Sequence, residues 1–187
     1  MHRKSLAVLL ACGLIAMLGY ACTMQTAQAL SLDQARLAPE FTQSTPQGWI
    51  NSKPLRWSDL QGKVVLVDFW AFDCWNCYNS IPWLHSLEQR YAGKDLRIVS
   101  VHTPELSQER VRANVEKKVR EYALTNPVML DNDYAYWNAM HNQYWPAFYL
   151  VDRHGLVRAA YVGETHAGDG NARQIEQAIN ELLAEEN

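Results

Sequence analysis

The amino-acid sequence predicts an α/β domain built around a mainly parallel sheet. Short runs of apolar and β-branched residues alternate along the chain with longer stretches of helical periodicity, which is typical of this class. Residues 64–70 form an almost continuously apolar run, as expected for a strand covered on both faces. The length of 187 residues fits one domain.

The individual elements follow from this periodicity. Before the first strong strand, residues 41–55 predict a strand–turn–strand extension around Gly48. Further strands are predicted at 96–101, 126–130, 146–151 and 156–162, the last two joined by a turn. Helices are predicted at 80–91, 107–123, 134–141 and about 171–185. Within 107–123, the side expected to face inward carries Val111, Val115, Val119 and Tyr122.

The N-terminus has the features of a targeting segment. A short basic cluster precedes an apolar run at residues 6–18, which is too short for a comfortable permanent membrane span. Ala27-Gln28-Ala29 supplies the small-x-small pattern after which a signal peptidase cuts. We therefore predict a signal peptide at residues 1–29 and a single domain at residues 30–187. Two alternatives stay open: lipid attachment at Cys22 and an uncleaved signal anchor.

Composition limits the partners. The chain carries 17 Lys and Arg against 20 Asp and Glu, a formal net charge of −3 at pH 7. The basic residues are scattered among acids, so we expect no nucleic-acid partner. Seven Trp and nine Tyr allow a sizeable core with polar tips left for contact with a partner.

The cysteines carry the chemistry. Two of the four, Cys12 and Cys22, fall in the targeting segment, which leaves Cys74 and Cys77 in the domain. A pair this close gains little as a structural disulfide, because the loop that it closes is short. A strand followed by Cys-x-x-Cys at a helix start places the first sulfur at the helix N-terminus, where a thiolate is stabilised. We expect an exposed, nucleophilic Cys74 and a buried Cys77 that resolves the mixed disulfide.

The residues that other kinds of chemistry would require beside this cysteine pair are missing. A c-type haem site needs His after the second cysteine, where Tyr78 stands, and a zinc site needs two more ligands, so we predict no metal site. A peroxidatic cysteine usually has Thr three residues before it, where Ala71 stands. Two alternatives to disulfide exchange stay open: a copper-binding or redox-sensing module, and a thiol peroxidase using the same cysteines.

Several segments resemble a known family. Val67-Asp68-Phe69-Trp70-Ala71 with Cys74 and Cys77 is similar to the thioredoxin active-site strand and turn, and two segments before it resemble TlpA-like exported thioredoxins: Ala38-Pro39-Glu40-Phe41 and Leu60-Gln61-Gly62-Lys63-Val64-Val65. Three later segments resemble the thioredoxin-like domain of DipZ-type proteins: residues 101–105, 130–134 and 144–147. This resemblance implies a three-layer α/β/α sandwich of thioredoxin-like fold, with a central mixed sheet and an N-terminal β extension.

The resemblance also implies roles for individual residues. Asp68 maps onto the buried acid that accepts a proton from the second cysteine, and burial should raise its pKa. The alternative for Asp68 is a structural acid bonded to backbone or to Lys63. Pro146 maps onto a cis-proline that faces the cysteines and leaves an adjacent edge free for substrate.

Substrate contact is expected beside these groups. We expect Trp75, Asn76 and Trp145 to line the substrate groove, with core packing as the alternative for Trp145. Trp70 is expected in the core. Glu105 is expected to be a solvated loop acid and His102 a structural residue.

These observations predict an exported thiol–disulfide oxidoreductase that uses no cofactor beyond its own cysteines. Its substrates are expected to be thiol-containing or disulfide-containing proteins outside the cytoplasm, with a membrane electron donor or acceptor as a further candidate partner, and the chain is expected to act as a monomer. Asp73, which stands where thioredoxin has Trp, places an acid beside Cys74 and opposes a thiolate there. We therefore expect the pair to act as a reductant.

Overall fold

The computed structural model describes residues 36–185. Its strands are β1 (Arg36–Leu37), β2 (Trp49–Ile50), β3 (Val64–Trp70), β4 (Leu96–His102), β5 (Val128–Leu130), β6 (Ala147–Val151) and β7 (Leu156–Val162). Its α-helices are α1 (Trp75–Arg90), α2 (Arg112–Glu121), α3 (Ala135–Ala139) and α4 (Gly170–Ala184). The predicted signal peptide at residues 1–29 and the alternative lipid site at Cys22 lie outside the described residues.

The strands form a single mixed sheet with β3 at its centre. The strand order is β1-β7-β6-β3-β4-β5-β2. Strand β4 pairs in parallel with β3 and β5, and every other neighbouring pair is antiparallel. All seven residues of β3 are buried, as their continuous apolar run predicts. The central mixed sheet of the predicted fold is therefore confirmed.

Alternating residues of β3 face two different layers. Val65, Val67 and Phe69 belong to a core that α3 and residues from the N-terminal segment cover. Val64 and Leu66 belong to a second core on the opposite face, where α1 and α4 pack. The long, amphipathic α4 buries Ile175, Ile179 and Leu182 there, as its spacing predicts. The sheet and these two covering layers make the predicted three-layer sandwich.

A third core lies at the end of the sheet to which β3 delivers the chain. Helix α2 packs there beside the first turns of α1, and Val115 and Val119 supply its apolar side. The same core contains both Cys74 and Cys77. The cysteines therefore lie where two helices and the end of the central strand meet.

The N-terminal β extension differs from the predicted strand–turn–strand at residues 41–55, because β2 is the single strand in that range and β1 lies before it. The two short strands do not pair with each other: β1 pairs with β7 and β2 pairs with β5, at opposite edges of the sheet. Between them, Pro46–Gly48 forms a 3₁₀ turn. A Cβ atom at Gly48 would lie 2.6 Å from Cβ of Gln43, so the turn is too tight for a side chain there. The chain thus crosses the sheet instead of folding back as a hairpin.

The predicted helix at 107–123 is wrong as one element. Ser107–Arg110 forms a 3₁₀ turn, and α2 begins only at Arg112, after Val111 adopts an extended conformation. Val111, expected on the inner side, is 51% exposed. The cause is a side-chain contact, since the Glu109 carboxylate binds the backbone N–H groups of Glu105 and Leu106 and closes the turn.

Other element boundaries also differ from the sequence prediction, among them the starts of α1 and β6. Helix α1 begins at Trp75 and not at Ser80, because Cys74 caps it. Strand β6 begins one residue after Pro146. Between residues 36 and 185, no helix combines the length and the apolar character that crossing a membrane requires.

Candidate active site

Strand β3 and helix α1 together position the two cysteines. The strand ends at Trp70, and four residues later Cys74 stands at the N-cap of α1. Cys74 and Cys77 form a disulfide, with their Cα atoms 5.3 Å apart. The Cys77 backbone N–H donates to the Cys74 Sγ over 3.2 Å. A sulfur in this position faces unpaired N–H groups and the positive end of the helix dipole, which stabilise negative charge.

One of the two cysteines, Cys74, is less accessible than predicted. Cys77 is 3% exposed, as expected for the resolving cysteine, but Cys74 is only 9% exposed. The prediction of an exposed Cys74 is therefore wrong for the disulfide form. The reason is packing, because Phe72 and Ile81 enclose the pair within the third core. Cys74 nevertheless retains more accessible surface than Cys77.

Asp68 lies in the middle of β3, enclosed by the protein. It is 3% exposed, and its Oδ2 accepts a hydrogen bond from the Ser100 hydroxyl of β4 over 3.0 Å. Burial raises the pKa of Asp68 to about 7, and the bond from Ser100 acts in the opposite direction. The alternative partner Lys63 is engaged elsewhere, since its Nζ donates to Asp95 over 2.6 Å. Asp68 is thus a buried acid that titrates near neutral pH.

Trp145 and Pro146 lie beside the strand that leads to the cysteines. The peptide bond between them is cis. Pro146 immediately precedes β6, which pairs with β3, and its carbonyl oxygen accepts the Gly163 N–H over 2.9 Å. Trp145 is half-buried against the core that contains the cysteines, and its Nε1 donates to the Thr103 carbonyl over 3.0 Å. Trp145 therefore combines core packing with a position at the edge of the site.

Exposed aromatic surface adjoins Cys74. Trp75 is 70% exposed and Tyr78 is 47% exposed, with ring centroids 5.7 Å apart, and Asn76 is also exposed. Trp70 is 3% exposed, which confirms it as a core residue. A pocket of about 350 Å³ opens at this place, lined by Phe72, Asp73, Cys74, Trp75, Tyr78, Lys118 and Tyr122. The surroundings of Cys74 can thus accept apolar groups.

Glu109 is a residue of the site that the sequence analysis missed. It is fully buried, and its Oε1 accepts the backbone N–H of Asp73, the residue before Cys74, over 2.9 Å. Its Oε2 accepts the N–H groups of Glu105 and Leu106 over 2.6 and 2.8 Å. One carboxylate therefore joins the loop before Cys74 to the loop after β4. The sequence feature that could have identified Glu109 is its position three residues after a helix N-cap, which is typical of the acid in a capping box.

Glu105 and His102 occupy the kinds of position that the sequence predicts for them. Glu105 is exposed, as predicted, and partial burial together with the neighbouring Glu109 raises its pKa. His102 is fully buried against Trp70 and Phe72, and burial lowers its pKa to about 3, so it is neutral. Within residues 36–185, no group of three or more His, Cys, Asp or Glu side chains is arranged to hold a metal ion.

A disulfide at the N-terminus of a helix, delivered by the central strand of this three-layer sandwich, defines a thiol–disulfide oxidoreductase of thioredoxin-like fold. The comparisons with known proteins agree with that class. The chain belongs to the Redoxin family, whose model matches residues 34–179.

Individual relatives are consistent with this class of protein. The chain is 40% identical over 158 residues to protein DipZ of Mycobacterium bovis, a match that covers 82% of this chain but only 22% of DipZ. It is 28% identical to the thiol-disulfide oxidoreductase YkuV of Bacillus subtilis, covering 79% of this chain and 94% of YkuV. It also resembles the crystal structure of a protein assigned as the thiol:disulfide interchange protein DsbE from Chlorobium tepidum. The TM-score is 0.69 and the identity 26%, covering 82% of this chain and all of that one.

The Glu109 contacts predict a local loosening of the site. In Glu109→Ala, the amide protons of Asp73, Glu105 and Leu106 lose their acceptor, and we expect their hydrogen exchange to accelerate at least about tenfold. Exchange at the centre of β3 should stay slow. Residue-resolved exchange by NMR measures both, and Glu105→Ala, which removes an exposed acid nearby, is the matched control. Unchanged protection of these three amides in Glu109→Ala would contradict the role of the carboxylate.

Proposed function

We propose that this chain is an exported oxidoreductase that reduces disulfide bonds in other proteins, with Cys74 as nucleophile and Cys77 as resolving residue. The observation that carries the proposal is the position of the pair, with Cys74 capping α1 and Cys77 one turn further into the helix. Residues 1–29 serve as the targeting segment in this proposal. The domain at 30–187 works outside the cytoplasm, either free after cleavage or tethered.

The proposed reaction is two successive thiol–disulfide exchanges. The Cys74 thiolate attacks one sulfur of a substrate disulfide; that S–S bond breaks, and the other substrate sulfur leaves as a thiolate that takes up a proton. Cys77 then loses its proton to Asp68 and attacks the Cys74 sulfur of the mixed disulfide. The Cys74–Cys77 disulfide forms and the second substrate thiolate is released. Two electrons pass from the protein dithiol to the substrate, and a dithiol donor must restore them.

The charges around Cys74 support the reducing direction. A strong oxidant owes its potential to a highly stabilised thiolate in the reduced form. Here the first turn of α1 offers N–H groups, but Asp73 adjoins Cys74 in sequence and the buried Glu109 carboxylate contacts the Asp73 N–H. Negative groups this close oppose a thiolate. The relatives YkuV and DsbE are themselves named for thiol–disulfide exchange.

Substrate binding is assigned to the surface that surrounds the pair. Trp75 and Asn76 are exposed between the two cysteines, and Trp75 offers apolar contact to a peptide. Pro146 has no backbone N–H and immediately precedes β6, the strand beside β3, while Trp145 packs against the core of the cysteines. We propose that a disulfide-containing segment of a partner protein contacts both groups of residues.

The unequal roles of the cysteines predict unequal trapping of partners. In Cys77→Ser the first exchange proceeds but the second cannot, so covalent partner complexes should accumulate at least about tenfold over Cys74→Ser. Non-reducing gel electrophoresis after acid quenching measures the complexes, and reduction should release them. Cys74→Ser is the matched control, since it removes the other sulfur of the same disulfide. Equal trapping by both variants would overturn the assignment.

The burial of Asp68 predicts a pH dependence of resolution. Its carboxylate accepts a proton only when ionised, so below its pKa of about 7 the resolution rate should fall about tenfold for each pH unit. In Asp68→Asn this dependence on Asp68 should vanish, and resolution near neutral pH should be slower. Stopped-flow measurement of mixed-disulfide decay between about pH 6 and 9 tests this, with Glu105→Gln as an exposed control acid. Identical rates for wild type and Asp68→Asn would remove Asp68 from the mechanism.

The direction of electron flow has its own measurement. We expect the reduction potential of the Cys74–Cys77 couple to lie near the roughly −270 mV of thioredoxin and far from the roughly −120 mV of a strong oxidant. Equilibration with glutathione or dithiothreitol buffers gives the value. A potential near the oxidant's, together with a disulfide resting state in the native compartment and rapid oxidation of a reduced unfolded protein, would replace reduction by oxidation while leaving the cysteine roles intact.

A further inference from the structure

Asp68 is the inner end of a chain of side-chain hydrogen bonds. The Ser100 hydroxyl of β4 donates to Asp68 Oδ2 over 3.0 Å. Asn126, which stands two residues before β5, in turn donates from its Nδ2 to the Ser100 Oγ over 2.9 Å. Three residues from three separate segments are thus linked in line. The link depends on the parallel register of β3 and β4, which sets Asp68 directly opposite Ser100.

The direction of these hydrogen bonds is fixed by their partners. The Asn126 Nδ2 also lies 3.3 Å from the Pro127 carbonyl oxygen, which can only accept, so the amide must present its N–H groups on this side. The Ser100 Oγ therefore accepts from Asn126. Its single proton remains for Asp68, whose ionised oxygens accept and do not donate. The whole chain points its donors toward the carboxyl group.

The chain runs from the interior to the surface. Asp68 is 3% exposed and Ser100 is fully buried, but Asn126 is half-buried. Asn126 lines a surface groove of about 240 Å³ that also includes Leu87 and Tyr91 from the last turns of α1 and the adjoining loop. The acid is therefore connected to solvent on a side other than the pocket beside Cys74.

Within residues 36–185, no charged side chain contributes to the raised pKa of Asp68, whose causes are burial and, in the opposite direction, the hydrogen bond from Ser100. On this face of the sheet, the titratable groups are His102 on β4 and Tyr161 on β7, and reduction of the disulfide adds Cys77 in the adjoining turn of α1. His102 and Tyr161 are neutral at physiological pH, since burial lowers the pKa of the first and raises that of the second. Helix α4 packs here through apolar residues, Ala172, Ile175 and Ile179, and its charged Glu176 is paired with Trp83 and Arg90 of α1. Ser100 is thus the polar side chain that contacts the Asp68 carboxyl group.

We propose that Ser100 is a positioning residue of the redox site: oriented by Asn126, its hydroxyl holds the Asp68 carboxyl group in the ionised form that accepts the proton of Cys77. This rests on the proposed role of Asp68 as proton acceptor. Without the hydroxyl, the carboxylate would be buried with neither a charge nor a donor to compensate it. Ser100 and Asn126 thereby set the pH range in which resolution works.

The first test measures Asp68 directly and does not depend on catalysis. In Ser100→Ala, we expect the midpoint of the Asp68 carboxyl titration, followed by ¹³C NMR on selectively labelled protein, to rise by about one pH unit. Asn126→Ala should raise it less, because the hydroxyl remains but loses its orientation. Ser86→Ala is the control, since Ser86 bonds only the Trp83 carbonyl within α1. Unchanged midpoints in both Ser100→Ala and Asn126→Ala overturn the inference, and Asn126→Ala alone decides if Ser100→Ala does not fold.

The second test separates this inference from the proposed mechanism. A rise of one pH unit from about 7 cuts the ionised fraction of Asp68 at pH 7 about fivefold, so resolution in Ser100→Ala should slow by that factor and recover at higher pH. In an Asp68→Asn background, Ser100→Ala should change nothing further. A raised midpoint with an unaltered resolution profile supports the role of Ser100 on Asp68 but refutes Asp68 as proton acceptor. A slower rate at every pH without a raised midpoint marks Ser100 as merely structural and overturns the inference.

Discussion

The constraint on which this domain depends is a carboxyl group in the middle of a strand that is buried on both faces. Asp68 lies between β4 and β6, and every residue of β3 is buried. An ionised carboxylate in such a place is costly unless donors reach it. The same strand that encloses the acid delivers the chain to the cap of α1, so the acid and the disulfide are fixed by one element.

The loops at the end of the sheet show a second use of buried negative charge. Parallel strands bring the loops that follow them to one edge, which is where α/β folds place their sites. Here the loops after β3 and β4 meet through the Glu109 carboxylate, which accepts three backbone N–H groups. The position of Cys74 is therefore tied to β4 as well as to its own strand. The two buried acids therefore have different roles. Asp68 has one side-chain donor and titrates near neutral pH, whereas Glu109 accepts hydrogen bonds from backbone N–H groups of the two loops.

Local sequence patterns predict this fold where burial is periodic and fail where a particular side-chain contact decides the local structure. The limits of β3 and β7 follow from their apolar spacing and agree with the structure. The 3₁₀ turn before α2 does not follow from spacing, because it depends on which backbone groups Glu109 binds. The role of Ser100 likewise does not follow from local sequence, since the register that sets it opposite Asp68 joins positions 32 residues apart. The cysteine pair was predictable because its chemistry is contained in four consecutive residues and the elements that flank them.

The way β1 and β2 join the sheet has a consequence for the order in which the chain can fold. Arg36 pairs with Val157, and Trp49 pairs with Met129, so both strands complete their hydrogen bonds only with partners far along the chain. Closing such long loops carries an entropic cost that local contacts do not. During synthesis from the N-terminus, β1 and β2 therefore cannot dock until their partners β7 and β5 have been made. Until then Trp49, fully enclosed in the finished domain, remains available to chaperones or to neighbouring chains.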